Sequence, residues 1–229
     1  MVTKATSIFT TDRFYLYVDL VNTNDGRLAR GERTRTAVLD AAVALATQAG
    51  LDGLSLGQLA ERLEVSKSGL FAHWKSKEEL QLAAIEHARA QWATEVVGPA
   101  LAQPRGVRRL FALHEARLDF YWRKALPGGC FFANAKFEFI AKAGPVAERL
   151  AEVHGEWLAL VERLAREAVE NGELPPGTHI EGLAFEVDAA GVAALLNLRL
   201  LSREPTEARR MVLRRLRDLA TDPSLLPSE

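Results

Sequence analysis

From Thr34 onward, apolar residues recur almost everywhere with the 3.6-residue period of an α-helix. A chain patterned this way must bury its apolar stripes by packing helix on helix, so the expected fold class is all-α. Val38, Ala41, Ala42, Leu45 and Ala49 mark one face of a first helix, and Gly50 stops it. Ser55 is positioned to cap a short second helix carrying Leu56, Leu59, Ala60 and Leu63. Ser66 caps a third, very short helix through Trp74, and Ser76 with Glu79 three residues later forms a capping box that opens a long fourth. That fourth helix is expected to run through Leu80, Ala84, His87 and Trp92 and to end at Gly98-Pro99.

Further breaks at Pro104-Arg105-Gly106, Pro127-Gly128-Gly129, Gly144-Pro145 and Pro175-Pro176-Gly177 divide the rest into helices. The fifth runs to about Lys124, and the next begins near Cys130. A long one starts at Gly144-Pro145 and ends around Asn171-Gly172, and two more cover about 181–201 and 206–219. Residues 1–26 differ: Phe14–Val18 is strand-like in composition, Asn22–Gly26 reads as a turn, and a lone strand has nothing to pair with. The expected organisation is a flexible extension over 1–26, a helix-turn-helix domain over 27–78, a helical regulatory and dimerisation domain over 79–222, and a tail over 223–229.

With 48% hydrophobic and 26% charged residues, the 229-residue chain can bury a core without a metal or disulfide staple. Its single cysteine excludes an internal disulfide and suits a reducing compartment. No apolar run reaches membrane-spanning length and no signal-peptide pattern is present, so a cytoplasmic location without membrane partners is expected. The formal net charge of -1 does not point to nucleic acid, so that inference must come from local charge and a motif. Arg27, Arg30, Arg33 and Arg35 crowd one stretch opposed only by Glu32, with Lys67, Lys75 and Lys77 following.

The motif is the packing of three helices between Thr34 and Trp74, the last two short and joined by a tight turn. In a helix-turn-helix the third helix enters the major groove of double-stranded DNA N-terminus first. Ser66, Ser68 and Gly69 are small enough for close approach, Lys67 and His73 project from its polar side, and Leu70 and Trp74 pack inward. Ser55 and Gln58 on the second helix, and Arg33 and Arg35 before the first, are candidate phosphate contacts, weighed against plain solvation. Lys77 sits in the first turn of its helix, where the macrodipole disfavours a cation and a phosphate would welcome one.

At this point the sequence resembles a known family. Thr34-Arg35, Val38-Leu39, Ala41-Ala42 and Gly50, then Leu54-Ser55-Leu56 and Leu59-Ala60, then Val65 through Leu80, are similar to the DNA-binding domain of TetR-family regulators. The stretch Ser66–Leu80 carries the resemblance most strongly, and Pro127–Phe132 is similar to a segment of one TetR subgroup. The resemblance implies a homodimer that binds operator DNA and is released by a small molecule in its C-terminal domain, most often a repressor. Two positions depart from the family. Glu64 stands where glycine is usual, and if that position has positive φ it stores roughly 1 kcal/mol of strain. Phe71 stands where tyrosine is frequent, which removes a hydroxyl contact to phosphate but leaves the side chain on the DNA-facing helix.

Aromatic residues crowd the stretch between Phe111 and Trp157, and such a bundle can enclose an apolar pocket with a few polar handles. His114, Tyr121, Phe132, Asn134, Phe137 and Trp157 are the candidate ligand contacts, with core packing the competing reading for each. Cys130 at a helix start could be a reactive thiol, but no resolving cysteine accompanies it, and a packed apolar role is favoured. The histidines lack metal-ligand spacing, and no catalytic constellation or cofactor motif occurs, so neither metal nor cofactor nor enzymatic activity is expected. The small-residue-rich helix 181–201, with the last helix, suits a homodimer interface, and the arginines of the last helix read as its solvated face. A DNA-binding protein without a ligand and, more weakly, an enzyme retaining a helix-turn-helix fold are the alternatives.

Overall fold

Serine hydroxyls start the three short-range helices that the sequence marks. In the computed structural model, which describes the backbone of residues 26–228 and side chains from Thr34, helix α1 spans Gly26–Ala49 and α2 Leu56–Arg62. Helix α3 spans Lys67–His73 and α4 Lys77–Trp92. Ser55, Ser66 and Ser76 accept hydrogen bonds from the backbone N–H groups of Gln58, Gly69 and Glu79, satisfying donors each helix leaves open. Glu79 completes the α4 start by accepting from the Lys75 N–H at 2.7 Å, one residue outside the usual capping box. Gly50 ends α1 with φ of 85°, a conformation open to glycine without penalty.

Gly98-Pro99 does not end the fourth helix as expected. A π-helical turn over Ala93–Val97 follows α4, and α5 (Gly98–Leu101) continues from it. The Gly98 N–H reaches back to the Ala93 carbonyl, an i→i−5 bond that shifts the register. Pro99 then sits near the start of a fresh turn, where its missing N–H costs least. The remaining helices are α6 (Val107–Trp122), α7 (Phe131–Phe139), α8 (Pro145–Glu170), α9 (Ile180–Leu201) and α10 (Thr206–Leu219). Among the described residues there is no β-strand, and no helix is long and apolar enough to cross a membrane. The extension over 1–26 lies outside the described residues except for Gly26, which begins α1.

Two apolar clusters organise these helices. The first gathers Val38, Ala42, Leu54, Leu59, Leu70, Trp74, Leu80 and Ile85 from α1 to α4, and draws in Phe131, Phe139, Leu150 and Val153 from α7 and α8. The second is built on Trp92, Phe111, Leu160, Leu164, Val187, Leu213 and Leu216, from α4, α6, α8, α9 and α10. Fully buried leucines such as Leu54, Leu59 and Leu80 each contribute roughly 1.5–3 kcal/mol to folding. Helix α4 belongs to both clusters: Leu80, Ala84 and Ile85 pack in the first and Trp92 in the second. Helices α7 and α8 pack against the N-terminal head formed by α1 to α4, so the head does not stand apart as a free module.

Candidate DNA-reading surface and ligand cavity

The turn between α2 and α3 closes because Leu63, Glu64 and Val65 wind back on α2. The Val65 N–H bonds the Ala60 carbonyl at 3.0 Å and the Glu64 N–H bonds that of Glu61 at 3.3 Å. Glu64 is held at φ of 54° to permit this. The expected left-handed conformation is therefore present on a residue with a Cβ, which costs about 1 kcal/mol relative to glycine. Glu64→Gly should raise the free energy of unfolding by about 1 kcal/mol in urea titration; an unchanged or lower midpoint would show that the side chain compensates for its backbone.

Helix α3 buries Leu70 and leaves Ser66, Lys67, Ser68, Gly69, Phe71, Ala72 and His73 exposed, while Trp74 just beyond it is buried. Phe71 is 51% exposed, unusual for a phenylalanine, and lies outside both apolar clusters of the described residues. The His73 ring lies against Trp74, with centroids 5.5 Å apart, and the Arg35 guanidinium sits 5.9 Å from the Trp74 ring centre. The exposed Arg35 thus reaches Trp74 at the end of α3, and Arg33 lies within α1 with its side chain outside the described residues. On α2, Ser55 and Gln58 bond each other at 3.1 Å.

Lys77 has a partner that the sequence did not disclose. Its Nζ lies 3.0 Å from Asp52 Oδ1, and Lys142 binds the other oxygen of the same carboxylate at 2.9 Å. Hydrogen bonds from Lys142 and Lys77 hold the Asp52 carboxyl down at about 2. An internal carboxylate therefore already offsets a lysine at a helix start, while the half-exposed ammonium still has further N–H groups to donate.

Behind the head, Trp92 is the hub of an aromatic cluster, with Phe120, Phe132 and Trp157 edge-on to it at 5.3, 6.3 and 5.6 Å. These rings fill most of the space between α4, α6, α7 and α8. What remains is an inner chamber of about 40 Å³, bounded by Trp92, Tyr121, Cys130, Phe132 and Trp157. Beside it an outer groove of about 620 Å³ opens between α7, α8 and α9, lined by Phe137, Phe139, Ile140, Ala147 and Leu150. Ala133, Lys136, His154, Asp188 and Val192 border both spaces.

The polar groups at that border are tied to one another. The buried Arg117 donates from Nε to the Tyr121 hydroxyl at 2.7 Å and from Nη1 to Asp188 Oδ1 at 3.1 Å. Trp157 Nε1 donates to the same Asp188 oxygen at 2.9 Å. Burial pushes the Asp188 carboxyl up, but the charges of Arg117 and Lys136 outweigh it and hold it below the usual range. Burial raises the Tyr121 phenol, so it stays protonated and can donate. Lys136 Nζ meets His154 Nδ1 at 2.9 Å, and burial lowers both groups.

Residues 38–84 match the family model described as bacterial regulatory proteins, tetR family, and residues 106–213 match the tetracyclin repressor-like C-terminal domain. The chain belongs to the TetR family. It is 25% identical over 151 residues to the HTH-type transcriptional repressor ComR of Escherichia coli K12, covering 66% of this chain and 72% of that one. A TetR transcriptional regulator from Chloroflexus aurantiacus superposes with a TM-score of 0.76 at 25% identity, over 84% of this chain and 98% of the other. The TetR-family regulator CifR, solved as a cysteine variant with 26-bp double-strand operator DNA, has the same fold, with a TM-score of 0.67 at 23% identity over 80% and 95%. This chain is accordingly a TetR-family DNA-binding transcriptional regulator.

Within this TetR-family fold the six candidate ligand contacts separate. Tyr121, Phe132 and Trp157 line the inner chamber and Phe137 the outer groove. His114 lies elsewhere, buried between α6 and α10 with its Nε2 at 3.1 Å from the Ala208 carbonyl. Asn134 points away too: its Nδ2 donates to the carbonyls of Thr47 and Gly128, at 3.0 and 3.1 Å, fastening α7 to the end of α1. They fail as handles for different reasons: Asn134 is turned to the side of α7 that meets α1, whereas His114 shares a face of α6 with Arg117 and Tyr121 but sits two turns before Tyr121, against α10. Sequence reasoning missed Arg117, Lys136, His154 and Asp188. Asp188 carried a usable signal, a lone carboxylate in the otherwise apolar run Val187–Ala190. On the last helix Arg210, Arg214 and Arg215 are exposed as expected, while Arg209 pairs with Glu115 of α6 and Arg217 donates to the Pro227 carbonyl. Among the described residues no group of His, Cys, Asp or Glu could hold a metal ion.

Proposed function

We propose that this TetR-family regulator is a cytoplasmic homodimeric repressor that binds double-stranded operator DNA through α2 and α3 and is released by a small molecule bound between α7, α8 and α9. One observation carries the ligand-responsive part. The nine-residue helix α7 has Ala133, Lys136 and Phe137 on the cavity and Asn134 and Glu138 on the head. The two Glu138 oxygens accept the backbone N–H groups of Leu51 and Asp52 at 2.7 and 3.0 Å, in the turn that leads from α1 to α2. A molecule that moves α7 must therefore move that turn or break its bonds, which biases the position of α3.

The dimer is supported by α9. Phe185, Ala189, Ala193, Leu196 and Leu200 are all exposed and fall at intervals of four and three, one continuous apolar stripe with small residues at its centre. The outer face of α10 adds Met211 but is otherwise mostly charged. Such a pair of helices meeting its own copy would set two α3 helices about 34–36 Å apart, one helical turn of DNA. Exposed Lys67, Ser68, Gly69, Phe71 and His73 then face the groove. Ser55, Gln58, Ser66, Lys77 and the arginines Arg33 and Arg35 border the backbone.

A duplex selected by the protein from a random library tests this reading, titrated alongside a scrambled duplex at several salt concentrations. Lys67→Ala should cost roughly 1–3 kcal/mol on the selected duplex and relax preference at one position per half-site. Lys77→Ala should weaken both duplexes alike and flatten the salt slope by about one unit for each phosphate no longer neutralised. If both variants bind like wild type, α2 and α3 are not the DNA-reading surface. Ligand responsiveness fails if small molecules that bind the protein leave its affinity for the selected duplex unchanged.

A further inference from the structure

The charges around the cavity do not balance, and the imbalance names a ligand class, resting on the ligand-responsive reading above. Arg117 is matched by Asp188 at 3.1 Å, and Arg89 by Glu156 at 2.7 Å. Lys142 on the groove wall is held by Asp52 and lies 4.4 Å over the Phe139 ring. Glu148 stands exposed at the outer rim. Asp188, the one carboxylate facing the border, already accepts from Arg117 and Trp157. Lys136 is the exception. It is half-buried, forms no ion pair among the described residues, and hydrogen-bonds only the neutral Nδ1 of His154, with Asp188 acting on it from further off while engaged by Arg117 and Trp157. A half-buried ammonium with one neutral acceptor is incompletely satisfied, because it has three N–H groups to donate.

We propose that the ligand is an amphipathic monocarboxylate, its carboxylate received by Lys136 at the border of the two spaces and its apolar body lying along the outer groove. The inner chamber, at about 40 Å³, is too small for an apolar body, whereas the groove offers about 620 Å³ walled by Phe137, Phe139, Ile140 and Leu150. Phe137 and Ile140 are 58% and 81% exposed at its mouth, so covering them favours binding. A cationic head would face Lys136 and Arg117, with Asp188 already engaged. A second negative charge would find no further uncommitted cation at the border. Burial, aided by the Arg117 charge, outweighs the opposing pull of Asp188 and disfavours the ammonium form of Lys136, and an arriving carboxylate would restore it.

Calorimetric titration of the full-length protein at pH 7 with decanoate, decan-1-ol, decyltrimethylammonium and decyl phosphate tests the assignment. A charge-assisted contact predicts that decanoate binds about tenfold or more tightly than decan-1-ol or the cation. Lys136→Met should remove that preference, weakening decanoate about tenfold while leaving decan-1-ol within about twofold. Lys136→Arg should retain it, which separates charge from folding. The proposal is overturned if decan-1-ol or the cation matches decanoate, if decyl phosphate binds more tightly, if none of the four binds, or if Lys136→Met leaves decanoate unaffected. No DNA is present in this titration. Its failure therefore removes the ligand class alone, whereas ligand responsiveness is judged separately on operator affinity.

Discussion

Placing glutamates at Leu196 and Leu200 together is expected to convert the protein to a monomer and to lower operator affinity about a hundredfold or more. Leu200 is 77% exposed and Leu196 44% exposed, so neither substitution removes a packed core side chain. Both lie on the apolar stripe of α9, where a self-complementary contact would bring the stripe of one protomer against that of another. Two charges per protomer would then face two more of the same sign in a desolvated interface. A monomer presents one α3 helix and loses the linked second half-site, which accounts for the size of the expected effect. Light scattering at micromolar concentration reads the mass, circular dichroism checks that helix content is kept, and the selected duplex reads affinity. A variant that stays dimeric with wild-type affinity places the interface on another surface.

His114 should make the protein lose stability as pH falls. Burial, and then the charge of Arg117, hold its folded-state value down at about 4, against about 6.5 for an exposed imidazole. Above pH 6.5 the ring is neutral in both states and its contribution is fully present. Below that the unfolded chain takes up a proton that the folded chain resists, so stability falls towards pH 4. The loss through this one group is roughly 2.5 kcal/mol by pH 4.5. The neutral Nε2 donates to the Ala208 carbonyl, while Nδ1 is buried without a hydrogen-bond partner among the described residues, so a proton there would have nowhere to bond. His114→Gln keeps a donor and removes the titration. Urea unfolding of both proteins between pH 7 and pH 4.5 should show wild type losing stability more steeply; parallel curves would mean that the ring is protonated within the folded core.

Local chemistry was legible where it is written into adjacent residues. Ser55, Ser66 and Ser76 cap as their spacing indicates, Gly50 terminates α1, and Leu70 and Trp74 turn inward. Glu64 adopts the positive φ that its place in the turn requires. What could not be read depended on partners distant in sequence. Asp52 and Lys77 are 25 residues apart and Glu138 lies 87 residues from Leu51, so no periodicity announces these contacts. The continuation past Pro99 was hidden because a single shift to π geometry absorbs the proline. For the cavity, composition pointed to the right helices but not to the right faces. Aromatic residues signalled a pocket, yet most of them pack on one another, and the open space borders smaller apolar residues and unforeseen charges.

The division between a nearly filled aromatic chamber and an open groove bears on how such a regulator can diversify. Trp92, Tyr121 and Trp157 interlock, so exchanging any of them leaves a void or a stranded polar atom and costs several kcal/mol. Phe137, Ile140 and Ala143 are exposed along the groove, where substitutions change stability by about half a kcal/mol. Mutation can therefore explore new ligand shapes on one side of Lys136 while the scaffold on the other stays constant. On the ligand-responsive reading proposed above, the lineage could change what it senses by small steps, each of which still folds and still binds DNA.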